Sequence, residues 1–142
     1  MSECNITVES VITDPTLGAA DGTETCKNEY VAQLSERGGL LRLTYEEKSE
    51  GGPIKSDITV TAEHIRVRRT GAIESDFMFI EGETTRSLYK ITPYAFDAEI
   101  TTKKIRNNLT RDGGKLTIYY DMTVGGAEKN VRMSITLAEV AV

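Results

Sequence analysis

The chain has 142 residues, the length of one domain, with 39% apolar residues and a formal net charge of -5. That charge argues against a phosphate-backbone binder, which needs a basic field, and suits a charge that keeps the protein in solution. The start, Met1-Ser2-Glu3-Cys4-Asn5, has no basic stretch followed by an apolar run, and the longest strongly apolar run, Phe77-Met78-Phe79-Ile80, is far too short for a spanning helix. The expectation is a single cytoplasmic domain over residues 1–142, with no nucleic-acid or membrane partner. Cys4 and Cys26 are then expected as free thiols without metal-like spacing, and the N-x-T triplets at Asn5 and Asn108 as chance matches.

The first strand is expected from about Glu3 to Thr13. Ile6 and Val8 share a face, and Val11-Ile12 breaks the parity, which a bulge near Ser10 would explain. Asp14-Pro15 ends it, and Gly18 to Thr25 reads as a small, polar, mobile loop. Next come Tyr30, Ala32 and Leu34, then Leu41, Leu43 and Tyr45, with Arg37-Gly38 as the turn. That turn sets Leu34 beside Leu41, and a slip of one residue would put apolar against polar throughout. Glu50-Gly51-Gly52-Pro53 closes this unit.

The hairpin Ile54 to Arg69 turns at Ala62-Glu63 and pairs Val60 with Ile65, Ile58 with Val67, and Asp57 with Arg68 as opposite charges. The strand Ile73 to Ile80 is apolar on both faces. Three-residue loops at Thr70-Gly71-Ala72 and Glu81-Gly82-Glu83 put Phe77 and Phe79 on the face of Val67 and Tyr89. Met78 and Ile80 then point outward. Thr92-Pro93-Tyr94-Ala95 reads as a four-residue turn pairing Ile91 with Phe96. A turn at Thr102-Lys103 sets Ile100 beside Ile105, and Asp112-Gly113 sets Leu109 beside Leu116 and Asn107 beside Ile118. Leu116 to Val124 and Val131 to Leu137 alternate on either side of Gly125-Gly126.

No segment has a convincing helical period. About ten short antiparallel strands in a meander would leave two open edges, and closing the sheet removes them. An all-β up-and-down barrel or a strongly curved half-barrel follows. Phe77, Phe96, Ile118 and Ile135 are expected to face its common centre.

Thr92-Pro93-Tyr94, Ile100-Thr101-Thr102-Lys103-Lys104-Ile105, Asp112-Gly113-Gly114-Lys115-Leu116 and Tyr119-Tyr120-Asp121 resemble, in order, the bacterial YwiB-like family. Leu41-Arg42-Leu43-Thr44-Tyr45-Glu46-Glu47 extends the match more weakly, so it covers roughly the last two thirds of the chain. The resemblance implies a calycin-like antiparallel barrel, similar in shape to lipocalins and fatty-acid-binding proteins. The family's activity is unassigned, so it implies no catalytic residue. Ala95 departs from the Gly usual there, which bears on a left-handed backbone at this position.

Candidate chemistry is sparse. His64 is the one histidine, beside Arg66 and Arg68, with Arg69 and Lys55 near. This is a solvated basic face or an anion-binding patch; one histidine excludes a multi-histidine metal site in a single chain and weakens a Ser-His-Asp reading. The acidic pairs Glu46-Glu47, Glu74 with Asp76, and Glu81 with Glu83 read as solvated charge at strand ends. Gly113-Gly114 and Gly125-Gly126 lack the Lys-Ser/Thr ending of a phosphate loop. The sharper possibility lies inside. Tyr30, Tyr45, Tyr120 and Asn107 are expected on the inner face, where they need hydrogen-bond partners or line a cavity. Ala32, Ser87 and Ala98 leave room.

The leading expectation is a non-catalytic binder, without metal or other cofactor, of a small apolar or amphipathic molecule near Tyr45, Phe96, Asn107 and Tyr120. The alternative is a filled barrel that binds a protein through Met78 and Ile80. An enzyme stands third, for want of a nucleophile, base or metal constellation.

Overall fold

Each run of period-two alternation becomes a strand whose apolar side chains share one face. In the computed structural model, which describes residues 2–16, 22–91 and 93–138, there are ten. They are β1 (Ser2–Thr13), β2 (Thr23–Arg37), β3 (Leu40–Ser49), β4 (Gly52–Val60), β5 (Ile65–Gly71), β6 (Ile73–Phe79), β7 (Thr84–Ile91), β8 (Tyr94–Asn107), β9 (Gly114–Val124) and β10 (Ala127–Leu137). All pair antiparallel with their chain neighbours, and β1 also pairs with β10, so the meander is a closed barrel. The ladder from Ile6↔Leu137 to Thr13↔Asn130 makes that closure. No edge strand remains to recruit another chain.

Inside and outside follow from the pleat. Phe79, Ile6, Leu43, Ile58, Ile65, Leu116, Ile118 and Ile135 are each below 2% exposed and fill the end of the barrel where β1 starts and β10 finishes. We call this the closed end. The opposite, open end carries the turns after β1, β3, β5, β7 and β9. Cys4 is buried and Cys26 exposed, both as free thiols.

Three registers sit two residues from those expected. Leu34 faces Leu43, Tyr89 faces Phe96, and Asn107 faces Leu116. Ile58↔Val67 stands as expected, and Val67 shares the inner face with Phe77 as expected. The expected turn at Thr102-Lys103 is instead a bulge within β8, where pairing passes from Thr102↔Tyr120 to Lys104↔Tyr119. The bulge moves the inward parity from Ile100 to Ile105, just as a turn would. Near Ser10 there is no bulge: β1 pairs without interruption, Ser10 facing Cys26 on one side and Met133 on the other. Val11 simply turns outward. Thr23 to Thr25 belong to β2 rather than a loop, and positions 17–21 of that expected loop lie outside the described residues. No described non-glycine residue has positive φ, so Ala95 needs no left-handed backbone. Gly114 does, at φ +113, and a Cβ there would lie 2.0 Å from the Asn108 carbonyl oxygen.

The outer face carries charge pairs between neighbouring strands. Arg42 donates to both Asp57 oxygens at 3.0 and 2.6 Å, and Arg66 to both Asp76 oxygens at 2.8 and 2.5 Å. Asp57 therefore takes Arg42 of β3, although Arg68 is its register partner on β5.

One seam is thin. β6 and β7 share only the pairs Ile73↔Ile91 and Glu74↔Lys90, and farther along the Thr85 hydroxyl donates to the Met78 carbonyl at 2.7 Å. No residue of β7 is buried. Amide hydrogen exchange checks the consequence: seam-facing amides of β6 and β7 exchange faster than those of β9 and β10, and uniform protection would refute the weak seam.

Two carboxyls are held more acidic than usual by their partners. The Thr16 hydroxyl, then Lys129, hold Asp14 down to about 2, from an ordinary 3.8. Arg66 likewise lowers Asp76. Both are more acidic folded than unfolded, so the folded state binds fewer protons in acid. Their stabilisation is complete above the ordinary carboxyl range and is lost as pH falls below it, for Asp14 toward about 2. Thermal melts across that range will show a decline that Asp14→Asn/Asp76→Asn flattens, and an unchanged decline would exclude these carboxyls as its source.

Candidate functional site

The alternation of β3 runs Leu41, Leu43, Tyr45 and then Glu47 on the inner face, and that of β5 runs Ile65, Val67 and then Arg69. Both strands thus turn a charged side chain into the lumen near the open end. Arg69 Nη2 donates to Glu47 Oε2 at 2.6 Å, and the Tyr30 hydroxyl donates to Glu47 Oε1 at 2.9 Å. The side chains of Arg69 and Glu47 are only 27% and 18% exposed. A pair this far from water needs good geometry and further hydrogen bonds to offset desolvation, and Tyr30 supplies one.

Around this pair the barrel is not filled. A cavity of about 220 Å³ lies toward the open end. Its apolar walls include Val8, Ile12, Val67, Phe77, Met122 and Met133, and its polar lining includes Ser10, Tyr45, Glu47, Arg69, Tyr89 and Tyr120. Aromatic contacts brace it. Tyr30 stacks on Tyr45 at 4.7 Å between ring centres, Phe77 on Tyr89 at 6.1 Å, and Phe79 meets Tyr120 at 4.7 Å.

A polar belt crosses one wall. Tyr45 faces Ser56, Ser56 faces Arg69, and Arg69 faces Ser75, so four successive strands contribute one group each. Ser56 is 1% and Ser75 5% exposed, and neither hydroxyl oxygen has a hydrogen-bond partner among the described residues. The buried Thr102 hydroxyl on β8 is also unpartnered. Burial raises the Tyr45 pKa. Ser56 draws it back slightly, but the two hydroxyls close no hydrogen bond of normal length and angle. Burial also raises Tyr120, with nearby Arg69 opposing, and raises Tyr30, where donation to Glu47 adds to it. These phenols stay protonated donors at neutral pH.

Of the four expected site residues, the structure brings Tyr45 and Tyr120 to the cavity. Phe96 and Asn107 are corrections. Phe96 has inward parity, but Ala98 already pairs with Val124, the last residue of β9, so Phe96 projects beyond that strand. It stacks on Tyr94 beside Gly125 and is 38% exposed, so it does not face the centre that Phe77, Ile118 and Ile135 share. Asn107 follows the β8 bulge, is exposed, and accepts a hydrogen bond from the Leu109 backbone at 3.0 Å. The basic patch around His64 also dissolves, because Arg69 points inward and Arg66 is taken by Asp76. Met78 and Ile80 are half-buried, while Leu88, Ile91 and Tyr94 on the β7–β8 hairpin are 55%, 40% and 65% exposed.

Glu47 and Arg69 went unread as site residues because charge near a strand end normally marks solvent. The signal for them was parity: each continues an apolar inner face by one further step of two. Among the described residues, no group of three or more His, Cys, Asp or Glu is placed to hold a metal ion.

Comparison with known proteins now adds the family. A family model described as a domain of unknown function, DUF1934, matches residues 6–137, so the chain belongs to that family. The uncharacterized beta-barrel protein YwiB of Bacillus subtilis (strain 168) is 30% identical over 95 residues, covering 66% of this chain and 67% of that protein. The crystal structure of the YwiB protein from Bacillus subtilis matches with a TM-score of 0.82 at 27% identity, covering 98% of this chain and 94% of that one. The closed ten-strand up-and-down barrel is thus the shape of a solved relative.

Breaking the interior pair tests its energetics. Arg69→Met or Glu47→Gln alone will destabilise the fold by roughly 1–3 kcal/mol in urea unfolding, since each leaves a poorly hydrated group without its partner. The double variant Glu47→Gln/Arg69→Met will lose less than the two single losses combined. Strict additivity would mean that the charges do not depend on one another.

Proposed function

We propose that this DUF1934 chain is a non-catalytic cytoplasmic binder of a small apolar or amphipathic molecule held in the open-end cavity. The observation that supports this is the uneven filling of the lumen. Large aliphatic and aromatic side chains pack the closed end, while the open end keeps about 220 Å³ lined by apolar walls and a few convergent polar groups. That composition suits ligand sites in general. The volume sets the scale, since an apolar cavity of about 150 Å³ accepts benzene and drug-sized sites begin near 300 Å³. The occupant is therefore one or two fused rings, or an aliphatic equivalent, and a long acyl chain does not fit.

The competing reading, a filled barrel acting through Met78 and Ile80, has weaker support, because the lumen is not full and those side chains are half-buried. Charged pairs on the outer face speak for a barrel in water, because a bilayer-spanning barrel presents apolar residues there.

Indole is a suitable first probe, being bicyclic and uncharged. Its titration by NMR will shift resonances of Val67, Met122 and Met133. Val67→Phe will fill part of the cavity, keep the fold at an equal or higher melting temperature, and weaken indole at least about tenfold. Binding unaffected by Val67→Phe would remove the cavity as the site.

A further inference from the structure

Resting on the cavity reading, we infer that the site selects an uncharged ring-bearing molecule with a hydrogen-bond acceptor, such as a carbonyl oxygen, which Arg69 and neighbouring hydroxyls receive.

The lining is uneven. Tyr45, Glu47 and Arg69 gather on β3 and β5 beside Val67, while β1, β9 and β10 contribute Val8, Ile12, Met122, Val131 and Met133, with Ser10 and Tyr120 among them. A planar molecule can lay its face on the aliphatic and thioether side, which adapts to ring shape, and turn one edge toward Tyr45 and Arg69.

That edge meets donors. A guanidinium has five N–H groups, and among the described residues Arg69 spends Nη2 on Glu47 with no other hydrogen bond. The Tyr45 and Tyr120 hydroxyls line the same cavity as donors, while Ser56 and Ser75 flank Arg69 in register without lining it. Glu47 already accepts one hydrogen bond on each oxygen, from Tyr30 and from Arg69, which leaves it about two acceptor positions against about four N–H groups that Arg69 keeps. Donors are in surplus, so the complementary ligand brings an acceptor.

Charge decides the rest. Glu47 and Arg69 neutralise each other at 2.6 Å. An anionic ligand would approach Arg69 against the Glu47 carboxylate and give up its own hydration, and a cation would meet Arg69 in the same half-dry space. A neutral acceptor takes a free Arg69 N–H and leaves the ion pair intact.

Four probes of nearly one size separate these cases at pH 7: acetophenone, benzoate, benzylamine and ethylbenzene, titrated into the full chain by calorimetry or NMR. Acetophenone is expected to bind at least about tenfold tighter than each of the others, the difference one net hydrogen bond supplies. Arg69→Met is expected to erase its lead over ethylbenzene while ethylbenzene affinity stays within about twofold, checked on protein whose melt shows it folded. The wild-type ranking needs no variant and stands as a test alone. Benzoate binding best, or acetophenone and ethylbenzene binding equally, would overturn the inference and keep the cavity as a binding site. Failure of all four probes to bind would overturn both.

Discussion

The β1–β10 ladder is the contact on which this structure depends. It joins the two ends of the chain, from Ile6↔Leu137 to Thr13↔Asn130, and turns a ten-strand meander into a barrel. Closure removes both sheet edges and gives every strand one inner and one outer face. The outer face can then hold Arg42–Asp57 and Arg66–Asp76 pairs in water, where each adds little stability but keeps the surface polar. The inner face must fill a lumen wider than that of an eight-stranded barrel. Side chains manage this at one end only.

The interior pair sits where filling stops. A core built for stability alone would put aliphatic residues at positions 47 and 69, since a buried ion pair seldom outperforms well-packed apolar groups. Instead Tyr30, Glu47 and Arg69 form a short connected chain, and unpartnered hydroxyls stand beside it. Natural sequences depart from local rules of this kind mostly where a site is held ready. The same wall gives the barrel its cavity and its polar recognition groups.

Much of this was legible in the sequence, and the reason is arithmetic. Three turns were read one step too early or too late, so Leu34 meets Leu43 instead of Leu41, and Asn107 meets Leu116 instead of Ile118. Each slip is two residues, and a slip of two leaves every side chain on its own face. The misread turn at Thr102-Lys103 was harmless for a similar reason: the bulge flips parity as the turn would have done. Tyr45 and Tyr120 therefore lie in the lumen as expected. Phe96 does not, because parity tells which way a residue points and not whether a neighbouring strand reaches far enough to cover it. Asn107 shows the same limit from the other side of the bulge. Glu47 and Arg69 were missed because composition outweighed period, although the period was right.

The barrel thus divides along its axis. Ile58, Ile65, Leu116, Ile118 and Ile135 are wholly enclosed, so shortening any of them removes packed atoms and leaves a void. Around the cavity that rule weakens, because side chains there already border empty space. Enlarging Val67 or Met133 replaces void with contact, while altering Arg69 changes polarity more than volume. The thin β6–β7 seam belongs to the same division, since β7 buries no residue and is held mainly by β8. A wall held on one side yields more readily than the β9–β10 wall, whose ladder runs unbroken from Val124↔Ala127 to Gly114↔Leu137. Packing is concentrated where the lumen is full, and the polar groups of Tyr45, Glu47 and Arg69 stand where it is not.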